Sequence, residues 1–168
     1  CAYFGIATDT TLNRVVVGRN ANFVHHYKDS AAIWDGENWS VRYTDPKQPD
    51  FDDARFVFHE SSDEVITYGG YHNNMVNDFP MWRFDNKIWH PIPMAEPNPG
   101  VRWEHGLVYD SARDRIVLFG GWEMYAEDGI VVSYELRNDT WEWDGEQWYL
   151  MDSLTDPPEA RCRHAMVY

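Results

Sequence analysis

Leu107-Val108-Tyr109-Asp110-Ser111-Ala112-Arg113-Asp114-Arg115-Ile116-Val117-Leu118-Phe119-Gly120-Gly121 decides the fold, because the chain contains it more than once. Two apolar runs flank a polar stretch, and a double glycine closes the second run. Moved back by 51 positions, the frame reads Phe56-Val57-Phe58-His59-Glu60-Ser61-Ser62-Asp63-Glu64-Val65-Ile66-Thr67-Tyr68-Gly69-Gly70. Moved back by 101, Ile6-Ala7-Thr8-Asp9 and Arg14-Val15-Val16-Val17 enter it, with Arg19-Asn20 where the other copies carry glycines.

A second block follows each copy of the first. Trp141-Glu142-Trp143-Asp144-Gly145-Glu146-Gln147-Trp148 matches Trp82-Arg83-Phe84-Asp85-Asn86-Lys87-Ile88-Trp89 and Ala32-Ile33-Trp34-Asp35-Gly36-Glu37-Asn38-Trp39. Near the end, Arg161-Cys162-Arg163-His164-Ala165-Met166-Val167-Tyr168 repeats Arg102-Trp103-Glu104-His105-Gly106-Leu107-Val108-Tyr109. Self-similarity at a period of 50 to 59 residues is the mark of a repeat architecture.

Each period reads as four short strands. A polar turn such as Asp110 to Arg115 splits the first two, and Asp-Gly or Asp-Asn, a hairpin signal, splits the last two. A turn centred on Asp144-Gly145 sets Trp141 opposite Trp148, and its counterpart sets Trp82 opposite Trp89. No segment carries sustained helical periodicity with caps. The expectation is all-β: four-stranded antiparallel units over 1–44, 52–93 and 102–151, with the start of another over 161–168.

Gly120-Gly121, the approach Asn138-Asp139-Thr140-Trp141, the spacing to Trp148, and Pro158 leading to Arg161 and His164 together resemble the kelch repeat. Asn77-Asp78 with Trp82 and Trp89 repeat part of that pattern, while Phe51 and Ala54 stand where the Arg and His would fall. The resemblance implies an incomplete β-propeller, about three blades plus the first strand of a fourth. Open edges would be closed by further blades from the parent chain or by a second copy. Gly69, Gly70, Gly120 and Gly121 would allow unusual backbone angles and close approach. Those glycines, with Trp39, Trp82, Trp89, Trp141 and Trp148, are the structural residues of the repeat.

The composition narrows the partners. Lys and Arg total 14 against 28 Asp and Glu, a net charge of -14, which repels nucleic acid and anionic membranes. No run is long and apolar enough for a membrane span. Cys1 and Cys162 make no disulfide framework. The first residue is not Met, so the missing leader says nothing about compartment; the Asp-Gly-x-x-Trp style suggests a secreted or cell-surface setting.

Strand polarity gives a functional expectation. In an up-and-down unit the first and third turns share one side, and the second turn and the links share the other. The first and third are short here. Arg19 to Ser30, Tyr71 to Phe79, Trp122 to Asp139, Tyr43 to Asp53, Pro91 to Val101 and Met151 to Ala160 are long. Recognition concentrates on such loops, so the expected function is a scaffold binding a protein or glycan through the long-loop face. The expected binding residues are His25, His26, Tyr27, Tyr71, His72, Asn73, Trp122, Tyr125, Arg102 and Arg161. Arg102 and Arg161, like His105 and His164, recur in register and fit a role in tying neighbouring units together.

Neither cofactor nor metal is expected. His25 and His26 are adjacent, so on a strand they point to opposite sides. Asp50, Asp52 and Asp53 lack an EF-hand frame. Asn38-Trp39-Ser40 and Asn138-Asp139-Thr140 match the glycosylation pattern but fall in blade turns. The alternative is that the chain is the propeller part of an enzyme, with catalytic residues partly outside it. Kelch-like propellers carry a copper-radical oxidase and a sialic-acid epimerase, and a glycan hydrolase is a further case. The oxidase resemblance implies a Tyr–Cys cross-link, and Cys162 has no assignable partner tyrosine.

Overall fold

A computed structural model describes residues 4–19, 30–43, 53–70, 80–85, 87–127, 130–152 and 155–168. None of them is helical, and thirteen strands account for the regular structure. The first sheet runs in the order β1 (Phe4–Asp9), β2 (Arg14–Arg19), β3 (Ser30–Trp34), β4 (Trp39–Tyr43). The second runs β5 (Arg55–His59), β6 (Glu64–Tyr68), β7 (Met81–Phe84), β8 (Trp89–Pro91). The third adds β9 (Arg102–Trp103) beside β11 and then runs β10 (Gly106–Asp110), β11 (Arg115–Glu127), β12 (Ile130–Trp143), β13 (Trp148–Leu150). Every pairing is antiparallel and joins consecutive strands, β9 excepted.

The turns explain that regularity. Between the first two strands of each sheet, four residues close the hairpin, and the last of them, Asn13, Asp63 or Asp114, takes a positive φ of 48°, 56° or 55°. Asn and Asp tolerate that conformation better than most side chains. The residue before the loop anchors it: Asp9 accepts from the Leu12 amide at 3.0 Å and Asp110 from the Arg113 amide at 3.0 Å.

The third turn corrects the expected aromatic pairing. Trp143 faces Trp148, Phe84 faces Trp89 and Trp34 faces Trp39, whereas Trp141 faces Leu150 and Trp82 faces Pro91. The turn is centred one residue later than Asp-Gly, because Gly145 and Gly36 take the first central position at φ 101°. Asp144 Oδ1 accepts the Glu146 and Gln147 amides at 2.9 Å each, and Asp35 and Asp85 repeat this clasp. The two-residue change in register leaves each tryptophan on its expected face.

Sheet packing is directional. The side of the first sheet that carries Ala7, Val16, Ala31 and Ile33 receives Phe56, Phe58, Val65, Phe84 and Trp89 of the second. The second sheet's other side, with Val57, Ile66, Tyr68 and Met81, receives Ile116, Leu118, Trp141, Trp143 and Trp148 of the third. At the first boundary, Gly5 and Gly18 pair across β1 and β2 under the Phe56 ring. A Cβ on Gly5 would lie 1.6 Å from that ring and one on Gly18 2.0 Å. Burying an aromatic or aliphatic side chain fully contributes roughly 1.5–3 kcal/mol, and Tyr68, Phe84, Ile66, Ile116 and Leu118 are all buried. The first strands β1, β5 and β10 consequently lie side by side.

The double glycines sit where one sheet meets the start of the next. The Gly70 amide donates to Arg102 O at 3.0 Å, and the Gly121 amide donates to Arg161 O at 2.8 Å. All four glycines have positive φ. A Cβ on Gly69 would meet Arg102 O at 2.0 Å, and one on Gly120 would meet Arg161 O at 2.6 Å. Arg161–Tyr168 therefore stands toward the third sheet as Arg102–Tyr109 stands toward the second. It forms no ladder among the described residues, so the expected strand there is without strand pairing.

Candidate functional site

The segment from Trp122 to Asp139, expected as a long connection, is instead the greater part of a two-stranded arm. β11 and β12 continue past the sheet, with Gly121 opposite Arg137, Trp122 opposite Leu136 and Tyr125 opposite Ser133. The register shifts between Phe119 and Gly121. That bulge at the glycines redirects the strand, and alternating side chains then sustain the ladder as in any half-buried hairpin.

Alternation gives the arm two unlike faces. Trp122, Met124, Tyr134 and Leu136 share one, joined by Trp103 from β9, which pairs with Trp122, and Val132 stands at a second register shift just beyond them. The Trp103 and Tyr134 rings meet edge to face at 5.4 Å. Val132 and Tyr134 are exposed, at 55% and 47%, and the other four are half-buried. The second face carries Glu123, Tyr125, Ser133, Glu135 and Arg137 beside Arg102.

Arg102 organises that polar face. It is 1% exposed, and its guanidinium grips Asp139 with two bonds of 2.5 and 3.0 Å. It also donates to Gly120 O at 3.2 Å and to Glu123 Oε2 at 3.4 Å. The same Glu123 oxygen takes Arg137 Nε at 2.9 Å and the Tyr125 hydroxyl at 2.9 Å. The Trp141 indole donates to Asp139 at 2.8 Å. Burial alone would raise the Asp139 carboxyl, but the bonds and charge of Arg102 outweigh it and hold the acid below its ordinary value. Burial, then Glu123, pushes the Tyr125 phenol up. Every charge here is answered by another, so the network fixes the arm's orientation and holds no free base or nucleophile.

The other expected binding residues fall as follows. Trp122 lies on the apolar face and Tyr125 on the polar one. Arg102 is the buried anchor rather than a surface group, and Arg161 is exposed with Nε donating to Glu159 O at 2.9 Å. His25, His26, Tyr27, Tyr71, His72 and Asn73 lie outside the described residues. Trp89, Trp141 and Trp148 are buried, Trp82 is packed against the core, and Trp39 is 58% exposed. Cys162 is half-buried, and burial followed by Glu104 pushes its thiol up, away from reactivity. Among the described residues no three His, Cys, Asp or Glu side chains gather as metal ligands.

Sequence reasoning missed a cleft of about 580 Å³ on the short-turn side, where the second and third sheets meet. His59, Glu64, Arg83, Trp143 and Asp144 line part of it. His59 Nδ1 bonds Ser62 Oγ at 2.9 Å, and its Nε2 lies 3.3 Å from Asp114, whose Oδ1 accepts the Tyr109 hydroxyl at 2.7 Å. Burial first, against the pull of Asp114, holds His59 below its ordinary value. The repeat carried the signal: His59 replaces the anchoring Asp9 and Asp110, and Glu64 replaces Arg14 and Arg115.

No protein-family model matches the chain, and no curated protein matches it.

Proposed function

We propose that this chain is a segment of a kelch-type β-propeller that serves as a binding scaffold, engaging a protein or glycan on the side where the arm stands. Three four-stranded antiparallel sheets with adjacent first strands support the propeller reading, as does the recurrence of one inter-sheet contact at Gly70 and Gly121. Trp34, Trp39 and Val41 of the first sheet present the side that the other two sheets bury. In this reading another sheet of the same repeat covers it.

The observation that carries the binding reading is the two-faced arm. A buried ion network sets its orientation, while aromatic and aliphatic groups on its other face are held partly in water. Anchoring side chains of this kind, fixed by a rigid base, are what interfaces use. The test is a glycan array and a cross-linking screen run with the natural chain and with a Val132→Glu, Tyr134→Glu variant. These positions are exposed, so melting temperature should stay within a few degrees. Partners bound by the natural chain should be lost from the variant; an unchanged binding profile would remove the arm from the reading.

A further inference from the structure

A second feature opens on the same side, where the first strands begin. Gly5 and Ile6, Arg55 and Phe56, and Gly106 and Leu107 line a groove of about 360 Å³ together with Arg163, His164 and Met166. Its walls contain no carboxylate. In a chain with 28 acidic residues against 14 basic ones, a concavity lined by two arginines and a histidine is exceptional.

Arg55 is the key group. Its Nε donates to His105 O at 3.0 Å, which fixes the guanidinium, and it forms no ion pair among the described residues. Although Arg115 and Arg161 bond only backbone carbonyls among the described residues, neither lines this groove, and Arg14, Arg83, Arg102, Arg113 and Arg137 are matched to Asp9, Glu64, Asp139, Asp110 and Glu123. Arg163 is likewise held by the buried Glu104, through Nε at 2.6 Å and Nη2 at 2.5 Å. His164 packs edge to face on Phe119 at 5.5 Å, and both its ring nitrogens are buried without a hydrogen-bond partner. Burial, then Arg161 and Arg55, holds its basicity down. At neutral pH the groove's positive charge therefore comes from arginine.

We propose that this groove is an anion subsite that takes the carboxylate of a small ligand of the sugar-acid class, with Arg55 as its principal contact. A guanidinium already oriented through Nε presents its remaining donors as a fork suited to a planar carboxylate. Phe56, Leu107 and Met166 supply apolar wall for the ligand's carbon skeleton, the usual division of labour in a small-molecule site. The volume suits one sugar ring rather than a folded partner. The subsite names ligand chemistry on the side assigned to binding but does not use the arm, so either can fail alone.

The test is a titration of the full 168-residue chain, with histidine and arginine side-chain resonances followed by NMR. The probes are glucuronate, glucose, inorganic phosphate and a hexapeptide of alternating Asp and Glu. Glucuronate should shift the His164 and Arg55 signals and glucose should not. Arg55→Gln should weaken glucuronate binding at least tenfold, while Arg115→Gln, away from the groove, should leave it unchanged. The Val132→Glu, Tyr134→Glu arm variant should bind glucuronate normally. Silence with glucuronate, equal binding by Arg55→Gln, or a response only to phosphate or only to the peptide would each overturn the proposal.

Discussion

Removing the carboxylate of Asp139 tests the account of the arm most severely. Arg102 is 1% exposed and Asp139 side chain 16%, so the two members of the pair do not stand to lose equally. In Asp139→Ala a buried guanidinium keeps only Gly120 O and the longer contact to Glu123. Orphaning a buried charge in this way costs about 3–5 kcal/mol. In Arg102→Met the remaining carboxylate is nearer water and keeps the Trp141 indole at 2.8 Å, so the loss should be smaller. Urea unfolding followed by tryptophan fluorescence reads the difference. With a slope of about 2 kcal/mol per molar urea, Asp139→Ala should lower the midpoint by roughly 1.5–2.5 M. The Arg102→Met, Asp139→Leu double variant should recover much of the deficit, because matched apolar groups leave no charge unanswered. A cost below about 1 kcal/mol for Asp139→Ala, or a larger loss for Arg102→Met, would refute the reasoning.

Four further outcomes are expected. Gly121→Ala places a side chain at φ 87° with its Cβ 2.7 Å from both His105 Cβ and Trp103 O, whereas Gly145→Ala meets only open space at φ 101°. Denaturant melts should show the first variant worse by about 2 kcal/mol or more, since only it adds overpacking to backbone strain. Trp143→Ala should cost about 3–5 kcal/mol and Trp39→Ala under about 1 in the same assay, because 5% and 58% exposure separate them. Gly5→Ala should destabilise by about 1–3 kcal/mol by pressing on the Phe56 ring, and paired with Phe56→Leu it should lose less than the separate costs combined. His105 is fully buried, and burial, then Arg102, Arg55 and His164, holds it well below its ordinary value. Its folded pKa is thus lower than its unfolded one, so its stabilising share is present above about 6.5 and falls away as pH drops below that. His105→Phe should flatten that part of the stability-against-pH curve, as seen in melts from pH 7.5 to 4.5.

The repeat made the strand order legible, because the polar turns and the apolar runs recur at fixed offsets. It left the pairing of Trp141 open to error, since Asp-Gly marks a hairpin without fixing which residue occupies the first central position. The glycine φ and the aspartate clasp decide that, and both are three-dimensional. The arm reads as a loop in sequence because it falls between the double glycine and the block at Trp141, and Glu123, Glu135 and Arg137 carry no pairing signal. On one face they pair with each other and with Arg102 and Asp139, which a linear sequence does not display. Trp122 and Tyr125 could be chosen as candidates by residue type, but their separation onto opposite faces needed the ladder. Arg55 could not be chosen at all: its distinction lies in the carboxylate-free groove that three sheets and the Arg163–Met166 stretch form around it. His59 and Glu64 were visible as departures from the frame, and the cleft beside them depends on how two sheets meet.

The first and second sheets each offer a shallow side to the next, and the second and third each push tryptophans into the one before. Such a stack has a head and a tail, like building blocks with studs above and sockets below. Cutting out residues 51–101, one whole period, would bring the seat formed by Ala7, Val16 and Ile33 against Ile116, Leu118 and Trp141. A stud would still meet a socket. Reversing one unit in place would set stud against stud. A gene encoding this protein can therefore gain or lose whole periods in tandem far more readily than it can shift, split or invert one.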